Sequence, residues 1–98
     1  MYNYFMLVGR VVESPVEKTD NGKERVEIKL SVRRQFPNGS GEYKSDEFSI
    51  SLWGGFFNMA LEQMKVGQTV MIKGRAEVCS GKIELIGERV MFFQGDPA

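Results

Sequence analysis

Val26, Ile28, Leu30 and Val32 alternate without a break against Arg25, Glu27, Lys29, Ser31 and Arg33. A period of two sends successive side chains to opposite sides of an extended backbone, so this stretch is a strand with one dry and one wet face. Asp20-Asn21-Gly22 precedes it as a turn, because Asn and Gly accept positive φ at little cost. A flexible Pro-Asn-Gly-Ser-Gly loop at 37–41 follows. Phe48, Ile50 and Leu52 then alternate with Glu47, Ser49, Ser51 and Trp53 as a further strand.

The rest of the chain is read from these two strands outward. Residues 2–13 form an earlier strand bent at Gly9 and ended by Ser14-Pro15. Both its faces are apolar, Phe5 and Leu7 on one and Met6 and Val8 on the other, so it is expected beneath another element or at a subunit contact. After Gly54-Gly55, the residues Phe57, Ala60, Leu61 and Met64 fall at helical spacing, predicting an amphipathic helix of about three turns stopped by Val66-Gly67. Val70, Ile72 and Gly74 open a fourth strand, Ser80-Gly81 turns a tight hairpin, and 83–93 is a fifth strand bent at Gly87. Three strands, one helix and two strands, with a glycine in most strands, give an all-β fold. The order is that of a five-stranded OB barrel with its helix between strands 3 and 4. The domain is expected to span 1–94, with a short flexible tail at 95–98.

Composition excludes several classes. A chain of 98 residues has room for one core. Its single cysteine, Cys79, and its lack of histidine rule out an internal disulfide and remove the commonest members of zinc sites and nucleophilic triads. The Asp46-Glu47 pair points to opposite faces of a strand, so it cannot act as paired acid and base. No enzyme and no cofactor are expected. Arg10 interrupts the N-terminal apolar stretch, and the longest uncharged run, 48–61, falls short of the roughly 20 apolar residues of a membrane span. A reduced, cytoplasmic protein without a membrane segment is the expectation. Thirteen basic residues against thirteen acidic ones create no overall field toward nucleic acid. A nucleic-acid role therefore requires the cations to gather on one face and the acids on another.

Several segments carry a family likeness. Asn3 followed by FMLVGRVVESP, the stretch NGKERVEIKLSVRRQFPNGSGEYKSDEFSISLWGG, the Val66-Gly67 stop and VMIKGRAEV together resemble bacterial single-stranded DNA-binding proteins over roughly residues 3–93. The likeness implies an OB fold, single-stranded DNA as ligand, a role in replication, recombination or repair, and a homodimer or homotetramer. In that family the first strand pairs between subunits. Val78-Cys79-Ser80-Gly81-Lys82 is shorter than the hairpin arm the family often carries, and the family's linker and acidic tip are not in this sequence. The chain thus resembles the family's DNA-binding domain alone, in the manner of a phage, mobile-element or primosomal relative.

A site for such a ligand combines rings that stack on bases with Lys and Arg that track phosphates. Lys29, Arg33, Arg34 and Phe36 supply both types at the end of the second strand. The alternative for Phe36 is loop packing, and for the arginines plain solvation. Trp53 lies on the polar phase of its strand, away from the core. Its alternative is burial under the helix or at a subunit contact. Phe48 has the opposite phase and is expected in the core. Tyr43 and Lys44 enter the third strand, Lys73 and Arg75 share a phase of the fourth that Glu77 dilutes, and Arg10 flanks the Gly9 bend. Nothing near Cys79 in sequence would activate it as a nucleophile. The competing functional reading is a protein-interaction module of primosome type, with replication or primosome proteins as partners and weak DNA binding.

Overall fold

The computed structural model describes residues 1–93; the expected tail at 95–98 and Gln94 lie outside the described residues. The elements are β1 (Phe5–Val11), β2 (Val16–Asp20), β3 (Lys23–Arg33), β4 (Ser45–Trp53), α1 (Phe56–Gln63), β5 (Thr69–Cys79) and β6 (Lys82–Phe92). Hydrogen-bonded neighbours run β1-β5-β6-β4-β3-β2, and β1 also pairs with β3. That extra pairing closes a barrel of β1, β5, β6, β4 and β3. Among the described residues only the short β4–β6 contact is parallel. The expected OB barrel is the fold.

Two details differ from the sequence reading. The first strand is shorter than expected, Phe5–Val11, and a further strand follows Ser14-Pro15. Proline has no N–H to give the ladder, yet the chain resumes pairing as β2, along the edge of β3 that β1 occupies further on. The helix has eight residues, about two turns rather than three, because Met64 is already extended and Gly67 turns with φ +92°.

The core follows the alternation. Val26, Ile28 and Leu30 of β3, Ile50 and Leu52 of β4, Val11 of β1, and Val70 and Ile72 of β5 are sealed from solvent. Ala60 on α1 and Met64 just past its end close one end of the barrel, while Leu61 stays exposed. Each such Val, Leu or Ile contributes about 1.5–3 kcal/mol of burial. Phe48 is half-buried on the inward phase, opposite Leu30.

A β-bulge between β5 and β6 shapes the wall beside the site. Lys73 pairs with Arg89 but Gly74 pairs with Gly87, leaving Glu88 as the extra residue. A side chain at Gly74 would run into the Ile86 carbonyl, and one at Gly87 into Leu52. Glycine alone lets the two backbones approach and bend there.

Candidate nucleic-acid interface

The β3–β4 register builds one open outer face. Arg25 lies opposite Trp53, Glu27 opposite Ser51, Lys29 opposite Ser49, Ser31 opposite Glu47, and Arg33 opposite Ser45. At about 3.4 Å per residue this row is about 27 Å long from Trp53 to Ser45. At one end the Arg25 guanidinium sits 5.9 Å from the Trp53 ring centroid, within cation–π range. The same group donates to Ser51 Oγ at 3.1 Å and to Glu27 Oε2 at 3.3 Å. Lys18 Nζ reaches Glu27 at 3.1 Å, and Ser51 Oγ donates to Glu84 at 3.1 Å. Partial burial pushes the Glu27 carboxyl upward, but the hydrogen bonds from Lys18 and Arg25 outweigh it and hold that group below the usual carboxylate range.

At the other end the Arg33 guanidinium stacks 4.1 Å from the Tyr43 ring centroid. The loop that carries Tyr43 is built rather than slack. Arg34 N–H donates to the Lys44 carbonyl at 2.8 Å, and Asn38 Oδ1 accepts from the Ser40 and Glu42 amides at 2.9 and 3.0 Å. Phe36, on this loop, is 77% exposed rather than packed against the loop.

Beside Trp53, a cleft of about 780 Å³ runs past Gly54, Phe56 and Ile86 to the β5–β6 hairpin. Arg75 lines it, with Nε donating to Glu77 and Nη1 to Glu88, both at 2.8 Å. Those two carboxylates hold the guanidinium's pKa above its ordinary value. Cys79 also borders the cleft, and Glu84 pushes its thiol pKa up, the opposite of activation.

Trp53, Lys29, Arg33 and Tyr43 thus belong to one face, with Phe36 and Lys44 on the loop at its end. Arg34 does not share it. It follows Arg33 with the opposite phase and is forked onto Asp46 by two hydrogen bonds of 2.9 Å. Lys29 is itself 3.5 Å from Glu13. Arg10 stands at the β1–β3 seam, opposite Ser31. Lys73 faces another wall, opposite Met6 and 5.4 Å from the Tyr4 ring centroid. Lys73 and Arg75 share a phase in sequence, but the bulge between them turns the strand. The required separation of charge is absent among the described residues: Glu27, Glu47, Glu77 and Glu88 interleave with the cations.

The single-strand binding protein family matches residues 2–90. The chain belongs to that family. Single-stranded DNA-binding protein 1 of Streptococcus pyogenes is 33% identical over 75 residues, 76% of this chain and 57% of that protein. Single-stranded DNA-binding protein B of Bacillus subtilis is 32% identical, over 82% of this chain and 72% of its own. The Clostridium acetobutylicum single-stranded DNA-binding protein 1 is 27% identical, with 94% of each chain covered. Among solved structures, the small single-stranded DNA-binding protein of Streptomyces coelicolor superposes with a TM-score of 0.76 at 18% identity, covering 98% of this chain and 99% of that one. Mitochondrial Rim1 of S. cerevisiae does so with 0.81 at 15% identity, covering 98% of each. At those identities the likeness is one of fold.

The candidate face also holds a residue that the sequence reading left unassigned, Arg25, the partner of Trp53. A signal for it existed. Aligning the two apolar rows antiparallel, Val26 with Leu52 and Ile28 with Ile50, puts Arg25 across from Trp53.

Proposed function

We propose that this chain binds single-stranded DNA with little sequence preference, in replication, recombination or repair, and that it binds rather than catalyses. Bases stack on Trp53 at one end of the β3–β4 face and on Tyr43 and Phe36 at the other. Arg33 and Lys44 contact phosphates at the loop end, with Lys29 between. The observation that carries this reading is an arginine–ring pair at each end of one open face, Arg25 with Trp53 and Arg33 with Tyr43. Rings supply stacking that every base accepts, and the cations track the backbone. The direct test is titration with oligo(dT) at two salt concentrations. Trp53 emission falls on binding and affinity weakens with salt; unchanged emission at low salt and micromolar protein would refute the reading.

The active form in this proposal is a cytoplasmic homodimer or homotetramer. Met6 and Val8, on the outward phase of β1, are 61% and 45% exposed, and Tyr4 just before the strand is 69% exposed. Among the described residues the β1–β3 ladder covers only Arg10 and Val11, so the edge before them is available to a second copy. A second functional reading, a primosome-type interaction module that touches DNA weakly, draws support from the carboxylates interleaved on the face. Capture of a helicase or helicase loader, with DNA dissociation constants weaker than about 10⁻⁴ M, favours it.

A further inference from the structure

We infer that the cleft beside Trp53 is a base subsite from which phosphate is excluded, and that Glu77 and Glu88 are the residues that make it so. The inference rests on the single-stranded DNA reading and specifies which part of the strand enters this end of the face. Trp53 and Phe56 give the cleft its aromatic walls. Its charged lining consists of two cations, Lys23 and Arg75, against four carboxylates, Glu24, Glu77, Glu84 and Glu88, a net charge of minus two. A phosphate drawn into this volume would lie within one Debye length, about 8 Å, of an excess of negative charge. A neutral base meets no such barrier and gains the stack.

Arg75 would by itself reverse that balance, since a guanidinium is suited to hold phosphate bidentately. Its position in the cleft makes it look like a backbone contact. Glu77 and Glu88 prevent this by taking two of its donors at 2.8 Å each. The geometry is specific to this wall. Glu77 lies two residues further along β5, on the same outer phase. Glu88 is the bulge residue, and a bulge re-aims the side chain it inserts. The strand therefore passes Trp53 with base inward and backbone toward solvent. Phosphate contacts fall at the loop end of the face, where the described residues give Arg33 and Lys44 no carboxylate partner.

The test compares oligo(dT) binding by the full chain and by Glu77→Gln, Glu88→Gln and the double variant, each across a salt series. Both carboxylates are about half exposed, and thermal melts of the variants establish that they fold. With both carboxylates replaced by neutral amides, which accept only weaker, uncharged hydrogen bonds, Arg75 becomes available as a phosphate ligand. The double variant then binds about three- to tenfold more tightly at low salt, and the slope of log K against log salt steepens by about 0.7, one added phosphate contact. The gain shrinks when Arg75→Gln is added to the double variant. Wild-type affinity and slope in the double variant would overturn the inference, as would weakened binding or a gain that persists in full without Arg75. If the unmodified chain leaves Trp53 emission unchanged with oligo(dT), the single-strand reading fails first and this inference with it. A quenched wild type with indifferent variants removes the inference alone.

Discussion

Replacing Trp53 and Tyr43 with alanine, singly and together, tests whether one strand spans the whole β3–β4 face. Each substitution removes one stacking platform, worth about 1–3 kcal/mol per base, or about five- to 150-fold in affinity. The platforms stand at opposite ends of a row about 27 Å long. That is well past the 7–10 Å beyond which mutational effects add to within about 0.5 kcal/mol. An oligonucleotide reaching both ends loses the sum, about 2–6 kcal/mol, in the double variant. At the 3.4 Å per nucleotide of a stacked strand, about eight nucleotides cover the row, and an extended strand needs fewer. (dT)15 therefore reaches both ends and (dT)3 only one. Fluorescence anisotropy of labelled (dT)15 is expected to give additive losses. With (dT)3, followed by NMR line shifts, each single variant costs little, because the short strand moves to the intact platform. The reasoning is refuted if the double variant loses no more (dT)15 affinity than the worse single variant, or if both lengths respond alike to Tyr43→Ala.

Ile28→Ala removes a fully sealed side chain facing Ile50, and urea unfolding is expected to show a loss of about 2–5 kcal/mol. Gly87→Ala puts a methyl group against Leu52; overpacking of about 1–3 kcal/mol should lower the melting temperature. Met6→Asp places a charge in the exposed apolar row of β1 and should move the sedimentation profile from oligomer toward monomer without loss of folded signal. The carboxyls of Glu27 and Asp46 are held below their ordinary values, so their contribution is present at neutral pH, above the unfolded values. It is lost as pH falls through the folded ones: the melting temperature drops on acidification below the normal carboxylate range, and Glu27→Gln flattens that acid limb.

How much of this was legible in the sequence depended on whether a feature is local. Alternation is local, so β3, β4 and the outward phase of Trp53 could be read directly, as could the turn at Asn21-Gly22. Strand β2 could not. Its Val-Glu-Lys-Thr-Asp composition carries no clean apolar phase, and it exists because β3 offers an edge to pair with. The clamp on Arg75 was equally hidden. Glu77 sits two residues away and was visible as a dilution of charge, but Glu88 reaches Arg75 only through a bulge that requires Gly74 and Gly87 to meet across two strands. Arg34 illustrates the same limit: its neighbour in sequence, Arg33, turns to Tyr43, while Arg34 turns to Asp46, twelve residues on.

The balanced net charge acquires a different meaning once the pairs are in place. A family whose ligand is a polyanion would be expected to segregate its charges, yet here the carboxylates are interleaved with the cations on the candidate face and in the cleft. Lys29 has Glu13 at 3.5 Å, Arg25 has Glu27 at 3.3 Å, and Arg75 has two carboxylates. Such a surface exerts little field beyond a Debye length, so it cannot gather strands by long-range attraction as a basic groove does. Affinity must then come mostly from contact, and the contacts that need no charge are the rings. Duplex DNA, whose bases are already stacked and whose outer surface is phosphate, offers such a face almost nothing. In the proposed binding mode such a surface favours the single strand over the duplex, and the carboxylates on the face and in the cleft contribute to that selectivity alongside the rings.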